Sequence, residues 1–453
     1  MSSERYDSIT KSLALACAID LRPVSMVAGK GFKTFCHKLN PDYQVPCRTT
    51  VNKHLFILYE SCKLELIQLL TGCEISLTTD LWTACNTTPY ITLTAHFITP
   101  KWEMFSKTLA TRPLVGKHTG VHIAECILAL QSEFKIQKVT CLVTDNARNM
   151  ILAAEHGNFM RWGCFSHTLQ LAIEDGLKAP NITKALAFAR KLVGHFKHSG
   201  TASAALKEKQ KNDGVEKPLM VVQSVPTRWN SQFFMAQRLL KLRLPIFAVL
   251  MDNKVTESKQ RQSLDLPDSS WKVLEDITPV LSPLADATEI LTKEDSPTLS
   301  QVFILLHQLI TKNLAQTADD SPTARNLKAS IRGSLVKRFQ LREGGIPISL
   351  ASHPMVACFL DPRYKSLRML EEEERQQVLT YIQGLVPESL PPAEPLVKQE
   401  SQGSANSIFD CLVGDIEVDL TKPAAIQQEC DMYLAEPVRV SEPLQWWRIN
   451  SDR

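Results

Sequence analysis

Two aspartates stand where a sheet could bring their carboxylates together. Asp80 closes one β-prone run, in Thr-Thr-Asp-Leu-Trp-Thr, and Asp145 closes another, in Val-Thr-Asp-Asn. Carboxylates at the ends of neighbouring strands of a mixed sheet meet at one edge. They form an oxygen-rich site suited to Mg²⁺, which takes few protein ligands and completes its shell with water and phosphate oxygens. Two such cations clamp the attacking and leaving oxygens of a phosphodiester. The same residues also suit a plainer role, each capping the turn or helix that follows, and Asp-Asn at 145–146 is a good turn start.

Three further groups carry chemistry. Cys164 and His167 form a C-x-x-H, and His195 and His198 an H-x-x-H about one turn apart on a predicted helix. Together they make a Cys-His₃ zinc set if the helices return to each other. Otherwise Cys164 ends a strand, His167 starts a helix and the other two are partly exposed polar residues. Arg228 and Trp229 precede a helix, where an indole with a cationic neighbour suits an unpaired nucleotide. A packed tryptophan at a helix start reads the same way in sequence. Val397-Lys398-Gln399-Glu400 fits the apolar-Lys-x-acidic pattern for attaching a ubiquitin-like modifier to Lys398.

The elements that must position these residues fall into blocks. Residues 1–73 read as helical, with apolar stripes over Ser8–Leu21, Gly31–Leu39 and Thr49–Leu70. From residue 74 the pattern changes. Ile75–Trp82, Pro89–Thr99 and Glu103–Val115 read as an antiparallel meander. A helix over 119–134, a buried strand over 139–145, a short helix over 147–154, a strand over 161–165 and a helix from His167 follow. That order predicts an α/β core, a mixed sheet with helices on its faces, over about 74–200. Long amphipathic helices are predicted over 182–209, 230–251, 269–292, 298–316, 322–341 and 366–385, so 201–385 reads as α-helical. Residues 386–407 are rich in Pro, Glu and Ser and read as a disordered linker. In the tail, 408–453, Trp446 and Trp447 read as an apolar anchor against the body or a second subunit.

Composition narrows the class. The 453 residues carry 51 basic and 48 acidic side chains, which excludes a polycationic tail protein but leaves a local basic face open. Twelve cysteines without any C-x-x-C argue against a disulfide scaffold and a cysteine-paired finger, and point to reduced thiols. The longest apolar runs fall far short of the ~18 residues of a membrane span. No membrane association is expected.

TTDLWT at 78–83, VTDNARNM at 143–150, CFSHTLQLA at 164–172 and TRWNS at 227–231 together resemble the hAT transposase superfamily. Within it the chain most resembles the vertebrate zinc finger BED domain-containing proteins, with DLRPVSMVAGKGFKTFCHKLNPDYQVP at 20–46, FLDPRYK at 359–365 and ECDMYLAEPVRVSEPLQWWRIN at 429–450 fitting in order. The resemblance implies a ribonuclease H-like fold with a large α-helical insertion and a helical N-terminal region. It implies that Asp80 and Asp145 match two of three metal-binding acids, and that Trp229 matches the tryptophan placed near a flipped base. The family's glutamate, its BED finger and most of its C-terminal dimerisation region find no match. The expectation is therefore a catalytically inactive, transposase-derived nuclear protein. Its Mg²⁺ site would be ancestral, and no resident cofactor is expected. Its partners would be DNA or chromatin, nuclear proteins and, weakly, a second copy, and its work transcriptional regulation. The alternatives are a fragment of an active, Mg²⁺-dependent transposase and a protein-interaction module without DNA contact.

Overall fold

The computed structural model describes residues 1–225, 228–294, 296–385, 422–437 and 442–450. The chain divides into two compact units, Met1–Trp162 and Gly163–Arg453.

In the first unit, helices α1 (Ser3–Ile19), α2 (Lys30–Leu39) and α3 (Arg48–Leu70) come first. Ser2 starts α1 by accepting from the Arg5 amide, which satisfies one otherwise orphaned N–H. Pro23 then admits only a short 3₁₀ turn, Val24–Ala28. Ala14, Val27 and Val51 close a small apolar core between these elements. The sheet follows, with β1 (Ile75–Thr83), β2 (Pro89–Ile98), β3 (Met104–Pro113), α4 (Gly120–Glu133), β4 (Val139–Thr144), α5 (Arg148–His156) and β5 (Arg161–Gly163). The five strands lie in the order β3-β2-β1-β4-β5. The β1–β2 and β2–β3 pairs are antiparallel and β1–β4 is parallel. This is the predicted ribonuclease H-like mixed sheet.

Alternation decides its faces. Ile91, Leu93, Ala95 and Phe97 of β2 are buried on one side, where Leu77, Leu142, Ile123, Ile127 and Met150 complete the core. Gly120 permits α4 to approach α5 closely. A Cβ there would stand 2.5 Å from Leu152 Cβ.

The second unit is helical. It contains α6 (Phe165–Leu177), α7 (Pro180–His198), α8 (Gly200–Asn212), α9 (Trp229–Lys241), α10 (Arg243–Met251), α11 (Ser258–Leu264) and α12 (Asp268–Leu291). It continues through α13 (Val302–Gln308), α14 (Pro322–Arg338), α15 (His353–Leu360), α16 (Glu372–Leu385), α17 (Lys422–Ala435) and α18 (Pro443–Asn450). One continuous apolar core runs through them. A Cβ on Gly176 of α6 would lie 2.7 Å from Ile331 Cγ1, so the closeness of α6 to α14 depends on glycine.

Several expectations need correction. The boundary expected at 200 lies instead at 162/163, because Leu169, Ile173, Leu186 and Phe196 of α6 and α7 are buried in the helical core. The helix expected over 182–209 is interrupted at Ser199, whose hydroxyl accepts from the Ala202 amide and starts α8. The one expected over 230–251 is divided at Leu242. The linker at 386–407 and Lys398 lie outside the described residues. Among the described residues no helix is long and apolar enough to cross a membrane.

Candidate functional site

β1 and β4 run parallel, with Leu77 opposite Leu142 and Thr78 opposite Val143. Asp80 and Asp145 each stand two residues further along. Asp80, still within β1, and Asp145, just past β4, therefore stand side by side where the β1–β4 pairing ends, and neighbouring strands lie about 4.8 Å apart. Alternation puts them on the face opposite the Leu77–Leu142 core. Asp80 is exposed and pairs across the ladder with Thr92 of β2. Asp145, half-buried, lies just past the end of β4.

Asp145 also performs the plainer role. Its Oδ1 accepts from the Ala147 amide at 3.0 Å, forming the turn that leads into α5. Arg161 of β5 braces that turn. Its Nε donates to Thr144 Oγ1 at 2.8 Å, and its Nη2 donates to the Asp145 carbonyl at 2.6 Å and to Asn146 Oδ1 at 2.9 Å. Burial pulls the pKa of this guanidinium below its ordinary value, and the charge of Asp145 opposes that pull. The sequence reading missed Arg161, because its partners are set by strand pairing and no motif marks it. Among the described residues, no three His, Cys, Asp or Glu side chains gather as a metal ion would require. The edge thus supplies two carboxylates with a cation beside one of them. Mg²⁺ fits such a donor set poorly, since a guanidinium sits on the Asp145 backbone beside it and, among the described residues, no third acid joins the two.

The zinc set is not assembled. Cys164 and His167 stand at the start of α6, whereas the His195 ring on α7 meets Gln260 of α11, with Nδ1 and Nε2 3.4 Å apart. Burial lowers the pKa of His195, and its Nε2 is buried with no hydrogen-bond partner. His198 is exposed at the end of α7.

Trp229 also departs from expectation. Its side chain is 2% exposed and packs against Phe233 inside the helical core. The base-stacking role implied by the resemblance is closed to a ring in that position. Arg228 is exposed, and the start of α9 is fixed by Ser231, whose hydroxyl donates to the Arg228 carbonyl at 2.6 Å. The same hydroxyl accepts from the Val225 amide at 2.7 Å.

The open aromatic surface lies instead beside Asp80. Trp82 stacks on Tyr90 across the β1–β2 ladder, with centroids 4.8 Å apart and planes 14° from parallel. Its indole N–H donates to Thr92 Oγ1 at 3.0 Å.

Comparison with known proteins agrees with this architecture. Residues 78–156 match the ZBED1 RNase-like domain, and residues 162–280 match the ZBED1 RNase-like helical domain. Over 410 residues the chain is 26% identical to human zinc finger BED domain-containing protein 4, covering 84% of this chain and 33% of that protein. A Zea mays protein named for the AC transposase is 24% identical over 386 residues, or 80% of this chain and 46% of its own. A Talaromyces stipitatus protein, tpeD, named for transcriptional regulation, is 24% identical over 307 residues, 59% of this chain and 35% of its own. The chain spans a third to just under half of the length of these relatives. Fold and matches define a hAT-derived protein with a ribonuclease H-like sheet and its helical companion domain. Within that class the chain is similar to the zinc finger BED domain-containing proteins.

Proposed function

We propose that this chain is the transposase-derived body of a nuclear protein that associates with DNA or chromatin in transcriptional regulation and does not itself cut or join DNA. The observation that carries the reading is the acidic edge. Asp80 and Asp145 keep the register of a metal-binding pair, yet Arg161 neutralises the neighbourhood of one of them and no third acid joins them among the described residues. A phosphodiester clamp requires cations held firmly on both reacting oxygens, and this donor set holds them weakly. The named functions of the relatives, a transposase and a transcriptional regulator, support DNA as the partner.

The test is a Mg²⁺-dependent nicking and hairpin assay with the purified chain, alongside mobility shifts across a salt series. The expected result is retardation that weakens with salt, as phosphate contact demands, and no cleaved product. Turnover that disappears in Asp80→Asn would establish the rival reading, an active transposase fragment, which the retained register of the two aspartates favours. Absence of any retardation would leave the protein-interaction module.

A further inference from the structure

The aromatic pair next to the acidic edge has no role in the core. Trp82 keeps 46% of its surface exposed although it sits at the end of the central strand β1. One face of its ring is spent on Tyr90, and the pair is nearly parallel. The indole is held in one orientation, since Nε1 is anchored to Thr92 Oγ1 and that hydroxyl is in turn 3.2 Å from Thr111 Oγ1 on β3. A flat, fixed and exposed ring is what base stacking requires, and stacking on aromatic side chains accepts any base.

The setting selects the occupant. Trp82 and Asp80 lie two residues apart on one strand and so on one face. The neighbours of the platform on the same face are hydroxyls, those of Thr92 and Thr111, and not the large aliphatic side chains that a protein partner would bury. The bases of a duplex are already stacked on one another and present no free face. We infer that Trp82, backed by Tyr90, is a stacking platform for an unpaired nucleobase of single-stranded DNA at the Asp80 edge of the sheet. This rests on the DNA-association reading and supplies the stacking surface that buried Trp229 does not.

The experiment measures anisotropy of a fluorescein-labelled single strand of about 12 nucleotides, and of its duplex, titrated with the full chain. The expected result is that Trp82→Ala weakens single-strand binding about tenfold and leaves duplex binding within about twofold. Trp82→Phe, which keeps a ring, recovers most of the loss. Circular dichroism and a melting curve establish that each variant is folded, and Thr92→Val, which releases the indole anchor without touching the ring, gives an intermediate loss. Equal single-strand affinity for Trp82→Ala and the parent overturns the platform while duplex retardation leaves DNA association standing. A parent chain that binds neither form overturns both.

Discussion

Arg161 Nη2 donates to the backbone carbonyl of Asp145, so a side chain on β5 sets the turn that ends β4. The bond is charge-assisted and half-buried, and the same guanidinium holds Thr144 and Asn146. Bonds to charged groups in such places contribute about 1.5–3 kcal/mol. Arg161→Ala should therefore destabilise the first unit by about 1–3 kcal/mol, read from urea unfolding. Lysine cannot reproduce the planar fork, so Arg161→Lys should recover only part of the loss. Amide exchange at Asn146 and Ala147 should rise in both variants. An unchanged unfolding midpoint in Arg161→Ala would remove the brace.

A second polar contact ties three elements together. Glu133 at the end of α4 accepts from Lys63 of α3 at 2.7 Å and from Arg112 of β3 at 2.8 Å. The Arg112 and Lys63 hydrogen bonds lower its pKa from 4.5 to about 2. A carboxylate whose folded value is depressed contributes stability that is fully present above about pH 4.5 and is lost as pH falls toward 2. Glu133 is partly solvated, so Glu133→Gln should cost about 1–2 kcal/mol at pH 7, below what the shift alone implies. The difference between parent and variant should shrink steadily between pH 4.5 and 2. A pH-independent difference would assign the loss to packing.

Much of the sheet was legible because its period is unambiguous. Ile91, Leu93, Ala95 and Phe97 alternate with polar residues, and the short apolar run at 139–145 read as a strand, of which Leu142 and Thr144 are buried and the rest half-buried. The register of Asp80 with Asp145 was not legible, because it depends on the parallel pairing of β1 with β4, which strand order alone does not fix. The helical unit was less legible. An apolar stripe continues across Ser199 and Leu242, and the stripe alone does not show that the chain turns there. The serine before Gly200 was the available signal, as a helix N-cap. The short helices α11 and α15 carry too few turns to show a period. The role of Trp229 was open because an aromatic residue at a helix start has the same pattern whether it faces a core or a solvent cleft. Only the surrounding helices decide.

Trp229 therefore gives a contrasting prediction. Its ring is enclosed with Phe233 in the core, so Trp229→Ala leaves a cavity and should cost about 3–5 kcal/mol in unfolding free energy. At a temperature where the variant stays folded, its affinity for single-stranded DNA should match the parent's. A stable variant with selectively weakened DNA binding would place the ring at the ligand after all.

The tail tryptophans are seated on their own chain. Trp447 Nε1 donates to the Leu360 carbonyl at 2.8 Å, and Trp446 is buried edge-on against Tyr433 at 5.3 Å. Tyr433 in turn meets Phe359 edge-on, and Lys365 donates its amine to the Tyr433 carbonyl while lying 4.5 Å over the ring. Lys365 is only 2% exposed, so that carbonyl is its compensation for leaving water. The segment 359–365 is thus the receptor for α17 and α18. Tyr433→Ala removes the ring shared by both helices and the receptor, and should release the tail while the rest of the helical core stays folded. Hydrogen exchange should accelerate across α17 and α18 by at least about tenfold, the factor that 1.4 kcal/mol implies, with α12 and α14 unchanged. Lys365→Met, which keeps the stem and deletes the cation, should produce a smaller acceleration in the same two helices. If α17 and α18 exchange at parental rates in both variants, the tail is held by contacts other than these.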